Sequence, residues 1–189
     1  HEGILAGIEN TNYFVTTRSG EYVLTIFEQH QGSAMNYFLQ LMHFWAERGI
    51  PTPRPILSHD GQLLQTLKGK PATLVVRLQG QEVKTPTLTQ CRVLGEWLAR
   101  MHISAQEFAL YRAPDRGHTW RVQTAVQIMP HLNAADANRL QHEIQQQQSI
   151  PWQQLPSGVI HADLFRDNAL FSGNTLTGVI DLYYACQDS

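Results

Sequence analysis

The apolar positions divide the chain into a β-rich front and a mixed rear. Thr11 to Thr17 (TNYFVTT) is dense in β-branched and aromatic residues. Tyr22 to Phe27 (YVLTIF) repeats that character after Arg18-Ser19-Gly20-Glu21. The pair predicts two strands joined by a turn. The spacing then changes: Phe38, Leu41, Met42 and Trp45 recur at helical intervals and predict a helix from Ala34 to Arg48. Gly49 is placed to cap it, and Pro51, Pro53 and Pro55 forbid its continuation. Ile56 to Leu67 suggests a hairpin turning at Asp60-Gly61. Ala72 to Leu78 (ATLVVRL) is a continuous apolar strand suited to a buried position. Gly80 to Pro86 is polar and patternless, and marks a boundary. Residues 1–79 are therefore expected to form a small antiparallel-sheet lobe with one helix.

Residues 80–189 are expected to form a second, mostly helical lobe, giving a two-lobed α+β fold. A helix from Leu88 to Gln106 carries the stripe Val93, Leu94, Trp97, Leu98 and Met101. Asn133 to Gln148 predicts a more polar helix ending in four glutamines, a run too short to be low complexity. Short strands follow at Val159-Ile160, Ala169 to Phe171 and Leu176 to Ile180. There is no internal repeat.

Composition narrows the function. The 189 residues are 42% hydrophobic, enough for a packed core. The formal net charge of -2 argues against a nucleic-acid or anionic-membrane binder, which needs a basic stripe. No apolar run approaches membrane-spanning length. Cys91 and Cys186 are far apart and outside any C-x-x-C pair, which favours two reduced thiols in a cytoplasmic protein. The nine histidines lack H-E-x-x-H spacing, so a zinc site is not expected.

The chemistry concentrates between Ser157 and Asp181 (SGVIHADLFRDNALFSGNTLTGVID), which contains His161-x-Asp163-x4-Asn168 and then Asp181. Gly173-Asn174 between two β-like runs is a hairpin signal. A two-residue loop there sets Ser172 opposite Thr175 and Asn168 opposite Val179. Asn168 and Asp181 then become diagonal neighbours on one face, about 7–8 Å apart. Two oxygen-bearing side chains so placed can share a magnesium ion, with phosphate and water supplying the remaining ligands. Asp163, on the preceding loop, can accept the proton of a substrate hydroxyl. Phosphoryl transfer needs this combination of positioning, charge neutralisation and a base. Alternatively Asp163, Asp167 and Asn168 are ordinary turn-formers, a reading that suits Asp167 better than the full set. His161 either touches substrate or scaffolds the loop, and scaffold is favoured. Arg166 either meets a phosphate or acidic substrate group, or pairs with Asp167 or Asp163.

H-x-D-x4-N followed by Ile180-Asp181 resembles the aminoglycoside phosphotransferase and choline kinase superfamily, whose fold is similar to that of protein kinases. Three segments resemble its bacterial homoserine kinases in particular: Gly7 to Val15 (GIENTNYFV), Val159 to Asn168 (VIHADLFRDN) and Gly178 to Cys186 (GVIDLYYAC). Pro71-Ala72 through Gly80 and Gly95 through His102 fit the same group. The resemblance implies ATP and Mg2+ as cofactors, L-homoserine as acceptor, and O-phosphohomoserine for threonine biosynthesis as product. It implies Asp163 as catalytic base and Asn168 and Asp181 as metal ligands. Gly7 to Tyr13 would lie over the nucleotide phosphates, with Asn10, Thr11 and Asn12 as donors. Val75 to Leu78, including Val76 and Leu78, would border the adenine.

Two departures accompany the resemblance. A kinase-like front lobe usually carries a lysine on the strand that corresponds to Tyr22 to Phe27, paired with a helix glutamate. Here Thr25 stands in that place, and Ala34 to Ala46 contains no acid. Members of the family also run well beyond the metal-binding Asp, so a fragment is expected. A kinase for another small hydroxylated compound (aminoglycoside, choline or sugar) and a pseudokinase-like nucleotide-binding module remain open alternatives.

Overall fold

The computed structural model describes residues 2–6, 10–28 and 33–189. β1 (Glu2–Ala6), β2 (Asn10–Thr17) and β3 (Gly20–Phe27) form an antiparallel meander, with Asn12 opposite Thr25. After α1 (Ser33–Glu47), β4 (Gln65–Leu67) and β5 (Lys70–Val76) complete a five-stranded sheet in the order β1-β2-β3-β5-β4. The hairpin expected over Ile56 to Leu67 is not there. A turn does form near Asp60, where the Ser58 hydroxyl bonds Asp60 and the backbone of Gln62. The strands meet instead around Lys68-Gly69, both left-handed at φ 49° and 81°. Two turn signals compete in this stretch, and the later one carries the pairing. β5 stops at Val76, two residues short of Leu78.

α1 is apolar on more than one face because it is covered from two sides. Met35, Phe38, Leu41 and Trp45 are fully buried, and Tyr37, Leu39 and Met42 nearly so. Burying each such side chain contributes about 1.5–3 kcal/mol. Phe38 meets Tyr183 edge-on at 5.8 Å, and Tyr37 meets Phe108 at 5.5 Å. α1 therefore ties the sheet to the rear of the chain. Its end is held by the left-handed Gly49, where the Gly49 and Ile50 amides donate to the Ala46 and Trp45 carbonyls.

The proline run past α1 does more than stop a helix. The Arg54 carbonyl accepts from the Val76 amide, and the Pro51 carbonyl accepts from the Val179 amide at 2.7 Å. This extended segment thus bridges β5 to the rear of the molecule. Prolines suit such a path because they are pre-set extended and bring no unpaired N–H.

The rear contains β6 (Gln81–Glu82), α2 (Leu88–Ser104), α3 (His118–Ile128), α4 (Ala134–Ser149) and β7 (Gly158–Ile160). β8 (Ala169–Ser172), β9 (Thr175–Val179) and β10 (Cys186–Asp188) close the chain. β6, β8 and β9 form one small sheet, and β7 pairs with β10 in another. α2 opens on a capping box: Thr87 accepts from the Gln90 amide, and the Gln90 side chain accepts from the Thr87 amide. The Gln90 side-chain Nε2 also donates to the Gly173 carbonyl at 2.9 Å, anchoring the β8–β9 turn to the helix start. α3 was not anticipated, since HTWRVQTAVQI lacks a clear apolar stripe, and Ala125 is its one buried residue. Both cysteines are unpaired, Cys91 exposed and Cys186 buried. No helix among the described residues is long and apolar enough to cross a membrane.

Candidate active site

The β8–β9 hairpin departs from simple two-residue register. Ser172 opposes Thr175 as expected, but a bulge separates Phe171↔Leu176 from Leu170↔Gly178. Thr177 is the extra residue, and its hydroxyl donates to the Leu170 carbonyl at 3.1 Å. The shift moves Val179 opposite Ala169 and corrects the expected Asn168–Val179 pairing: the Ile180 amide donates to the Asn168 carbonyl at 3.0 Å. Asp181 lies one residue past that contact, in the left-handed region at φ 61°. Asn168 and Asp181 still meet on one cavity. They do so through a bulge and a left-handed turn, not as diagonal neighbours on a flat ladder.

That cavity, of about 490 Å3, lies between the front sheet and the hairpin. Val23, Val75, Val76, Leu78, Leu170 and Ile180 make its apolar wall, and Asn10, Asn12, Thr25, Asn168 and Asp181 its polar part. Of the residues singled out in the sequence, it gathers Asn10, Asn12, Val76, Leu78, Asn168 and Asp181. Thr11 is elsewhere: strand alternation turns it to the opposite face of the sheet, where its hydroxyl donates to Glu28 at 3.1 Å. Gly7, Ile8 and Glu9 lie outside the described residues. Gly178 sits beneath the wall for lack of room, since a Cβ there would come within 2.9 Å of Leu78 and 3.0 Å of Leu170.

Thr25 occupies the position where a lysine was sought, and it is buried. Its hydroxyl donates to Asn12 Oδ1 at 2.7 Å and shares a hydrogen bond with Tyr183. Burial, helped by the nearby Asp181 carboxylate, pushes the Tyr183 hydroxyl well above its ordinary range, so it stays a neutral phenol. The position thus fixes a side-chain amide on β2 instead of presenting a cation.

The loop carrying Asp163 is held from several sides. His161 is 2% exposed, with Nε2 at 2.9 Å from the Ile180 carbonyl and Nδ1 accepting from the Asp163 amide at 3.3 Å. Burial lowers its pKa, partly opposed by the Ile180 hydrogen bond and the Asp163 charge. It is a neutral scaffold between loop and hairpin. Ala162, between His161 and Asp163, is left-handed at φ 64°, a conformation costing a non-glycine residue about 1–2 kcal/mol. Asn168 Nδ2 donates to the Asp163 carbonyl at 2.8 Å and approaches its carboxylate at 3.4 Å. Arg166 makes neither ion pair considered for it; it donates to the Lys84 carbonyl at 3.0 Å.

Because Asn168 spends its amide nitrogen on Asp163, its Oδ1 remains for the cavity, alongside the Asp181 carboxylate. One amide oxygen and one carboxylate suit a hard cation that takes its other ligands from phosphate and water. Among the described residues no three His, Cys, Asp or Glu side chains are grouped so that they could hold a metal ion by themselves.

Asp163 itself lines an adjoining cavity of about 380 Å3, which shares Tyr184 with the first. Arg116 and Arg121 line it too. Sequence reasoning missed both, because isolated arginines in a loop and a weakly patterned helix give no local signal.

The phosphotransferase enzyme family matches residues 1–188. The homoserine kinase of Methylobacillus flagellatus is 46% identical over 188 residues, covering all of this chain and 59% of the relative. That of Neisseria meningitidis is 41% identical over 186 residues, covering 98% and 61%. The chain thus spans about three-fifths of the length of these curated relatives. Among solved structures, an amicoumacin kinase in complex with AMP-PNP, Ca2+ and Ami aligns with a TM-score of 0.74 at 16% identity. The alignment covers 98% of this chain and 59% of that one. A choline kinase from Cryptosporidium parvum aligns at 0.65 and 16%, covering 98% and 58%. At that identity the likeness is one of fold.

Proposed function

The chain belongs to the phosphotransferase enzyme family, and we propose that it carries the nucleotide site and catalytic loop of a kinase that phosphorylates L-homoserine with ATP. The observation that carries the reading is Asn168, which lines the larger cavity with Asp181 while holding Asp163 beside the smaller one. A base and a metal-binding pair joined by one side chain are what phosphoryl transfer between two adjoining pockets requires. The acceptor comes from the homoserine kinases that the chain matches at 41–46% identity.

In this reading residues 1–79 are the nucleotide-binding lobe and residues 80–189 bring the catalytic loop and hairpin. Val76 and Leu78, with Val23 and Leu170, pack against the adenine, and Asn10 and Asn12 donate to the phosphates. Thr11 contributes at most its backbone there. Asn168 Oδ1 and the Asp181 carboxylate would hold Mg2+, which when bound neutralises charge on the phosphate chain. Asp163 accepts the acceptor's hydroxyl proton as its oxygen bonds to the γ-phosphorus and the bond to the ADP oxygen breaks. The products are ADP and O-phospho-L-homoserine, an intermediate for threonine biosynthesis, and the setting is cytoplasmic.

The test is a coupled ADP-release assay on the complete protein containing these residues, with L-homoserine, aminoglycosides, choline and common sugars as acceptors. Homoserine-dependent turnover exceeding the others is expected. Turnover of another acceptor with none of homoserine overturns the substrate. Nucleotide binding without turnover of any acceptor would leave a binding module.

A further inference from the structure

The smaller cavity is lined by Arg116 and Arg121, neither of which is held in an ion pair among the described residues. Of the three arginines near it, Arg112 is committed: it pairs with Asp115, donates to the Ala185 carbonyl at 3.3 Å and lies over the Phe38 ring. Arg116 and Arg121 differ. Neither forms an ion pair among the described residues. Arg116 stacks 5.0 Å over the Tyr184 ring and makes a long contact of 3.5 Å to its hydroxyl. Arg121 lies over Trp152, and its Nε is buried without a hydrogen-bond partner. A buried donor left unpaired is costly, and an occupant that brings an anion can satisfy it.

The same cavity is lined by Asp163 and Asp188, and by Asp115, which pairs with Arg112. Its lining is therefore of mixed sign and suits a zwitterion. Choline, an aminoglycoside or a neutral sugar brings no anion for Arg116 and Arg121 to bind. Resting on the kinase reading above, we propose that Arg116 and Arg121 bind the carboxylate of the acceptor, so that the substrate class is a hydroxyl-bearing amino acid. The carboxylate anchors at the arginines and the hydroxyl reaches Asp163. Guanidinium is suited to this task because its N–H groups match a carboxylate's two oxygens.

The experiment compares L-homoserine with L-homoserine amide, which loses the anion and keeps the hydroxyl and ammonium, and with 4-hydroxybutanoate, which keeps the anion. The wild-type complete protein and its Arg116→Gln and Arg121→Gln variants are assayed for ADP release. Wild type should favour homoserine over the amide by ~10–100-fold in kcat/KM. Each variant should raise the homoserine KM by a similar factor, leave the ATP KM in place, and lose much of the preference for acid over amide. A merely structural arginine would lower activity on both acceptors without changing their ratio. Wild type that turns over the amide as well as homoserine overturns the inference even if the variants do not fold, as do folded variants that discriminate like wild type. Absence of homoserine turnover by wild type would instead strike the kinase reading. The acceptor actually used would then decide the arginines: a carboxylate-free one refutes their role, and a carboxylate whose KM rises in both variants upholds it.

Discussion

Asn168 reaches Asp163 twice through one nitrogen, 2.8 Å from its carbonyl and 3.4 Å from its carboxylate. The contact orients the loop before any substrate arrives. It also leaves the amide oxygen outside that contact, on a residue that lines the cavity with Asp181.

Replacing Asp163 by Asn keeps the shape of the loop and removes the proton acceptor. Turnover of the complete enzyme should fall ~10²–10⁴-fold, with nucleotide affinity nearly unchanged. Steady-state kinetics and a nucleotide titration together check this. A variant retaining wild-type kcat would exclude Asp163 as the base.

Asp181→Ala removes the carboxylate of the proposed magnesium pair. The magnesium concentration giving half-maximal activity should rise ~10-fold or more. Left-handed φ at Asp181 is tolerated better by Asp than by Ala, so Asp181→Asn is the companion variant. An unmoved metal dependence in Asp181→Asn and Asp181→Ala alike would remove this residue from the metal site.

Thr25→Val preserves the branched shape of a buried side chain and deletes its hydrogen bonds to Asn12 and Tyr183. Losing a neutral hydrogen bond is worth about 0.5–1.5 kcal/mol. The KM for ATP should therefore rise ~2–12-fold while the KM for the acceptor stays put. An unchanged ATP KM would show that Asn12 needs no such support.

His161 sets a pH dependence of stability. Its folded pKa lies below the ordinary 6.5, because burial disfavours the imidazolium. Between those two values the unfolded chain binds more protons than the folded one, so stability rises with pH. The contribution is complete above 6.5 and is lost as pH falls below it toward the folded value. His161→Asn should flatten this part of the curve and cost about 0.5–1.5 kcal/mol at pH 8 through the lost Ile180 contact. Urea midpoints of both proteins from pH 8 to 5 provide the measurement, and identical slopes would refute the assignment.

Local sequence determined the elements with strong periodicity or closing signals. The strands around Phe14 and Leu24 and the helix from Ser33 to Glu47 with its Gly49 cap lie where spacing and capping chemistry put them, and α4 falls close to the polar helix expected there. The motif from His161 to Asp181 was legible for a similar reason. Its residues are close in sequence, and a hairpin must bring its ends together. Tertiary structure decided the rest. The extra residue Thr177 sits in the ladder next to Gly178, which packs under Leu170 and under Leu78, about a hundred residues earlier in the chain. The proline run found its role only where the Arg54 and Pro51 carbonyls met β5 and β9. Thr11 left the site through strand alternation, which a list of polar residues cannot express. Arg116 and Arg121 gained significance only because folding placed them on one cavity with Asp163, outside any ion pair among the described residues. Periodicity records which face of an element is buried, but which distant groups share a cavity depends on how the elements pack.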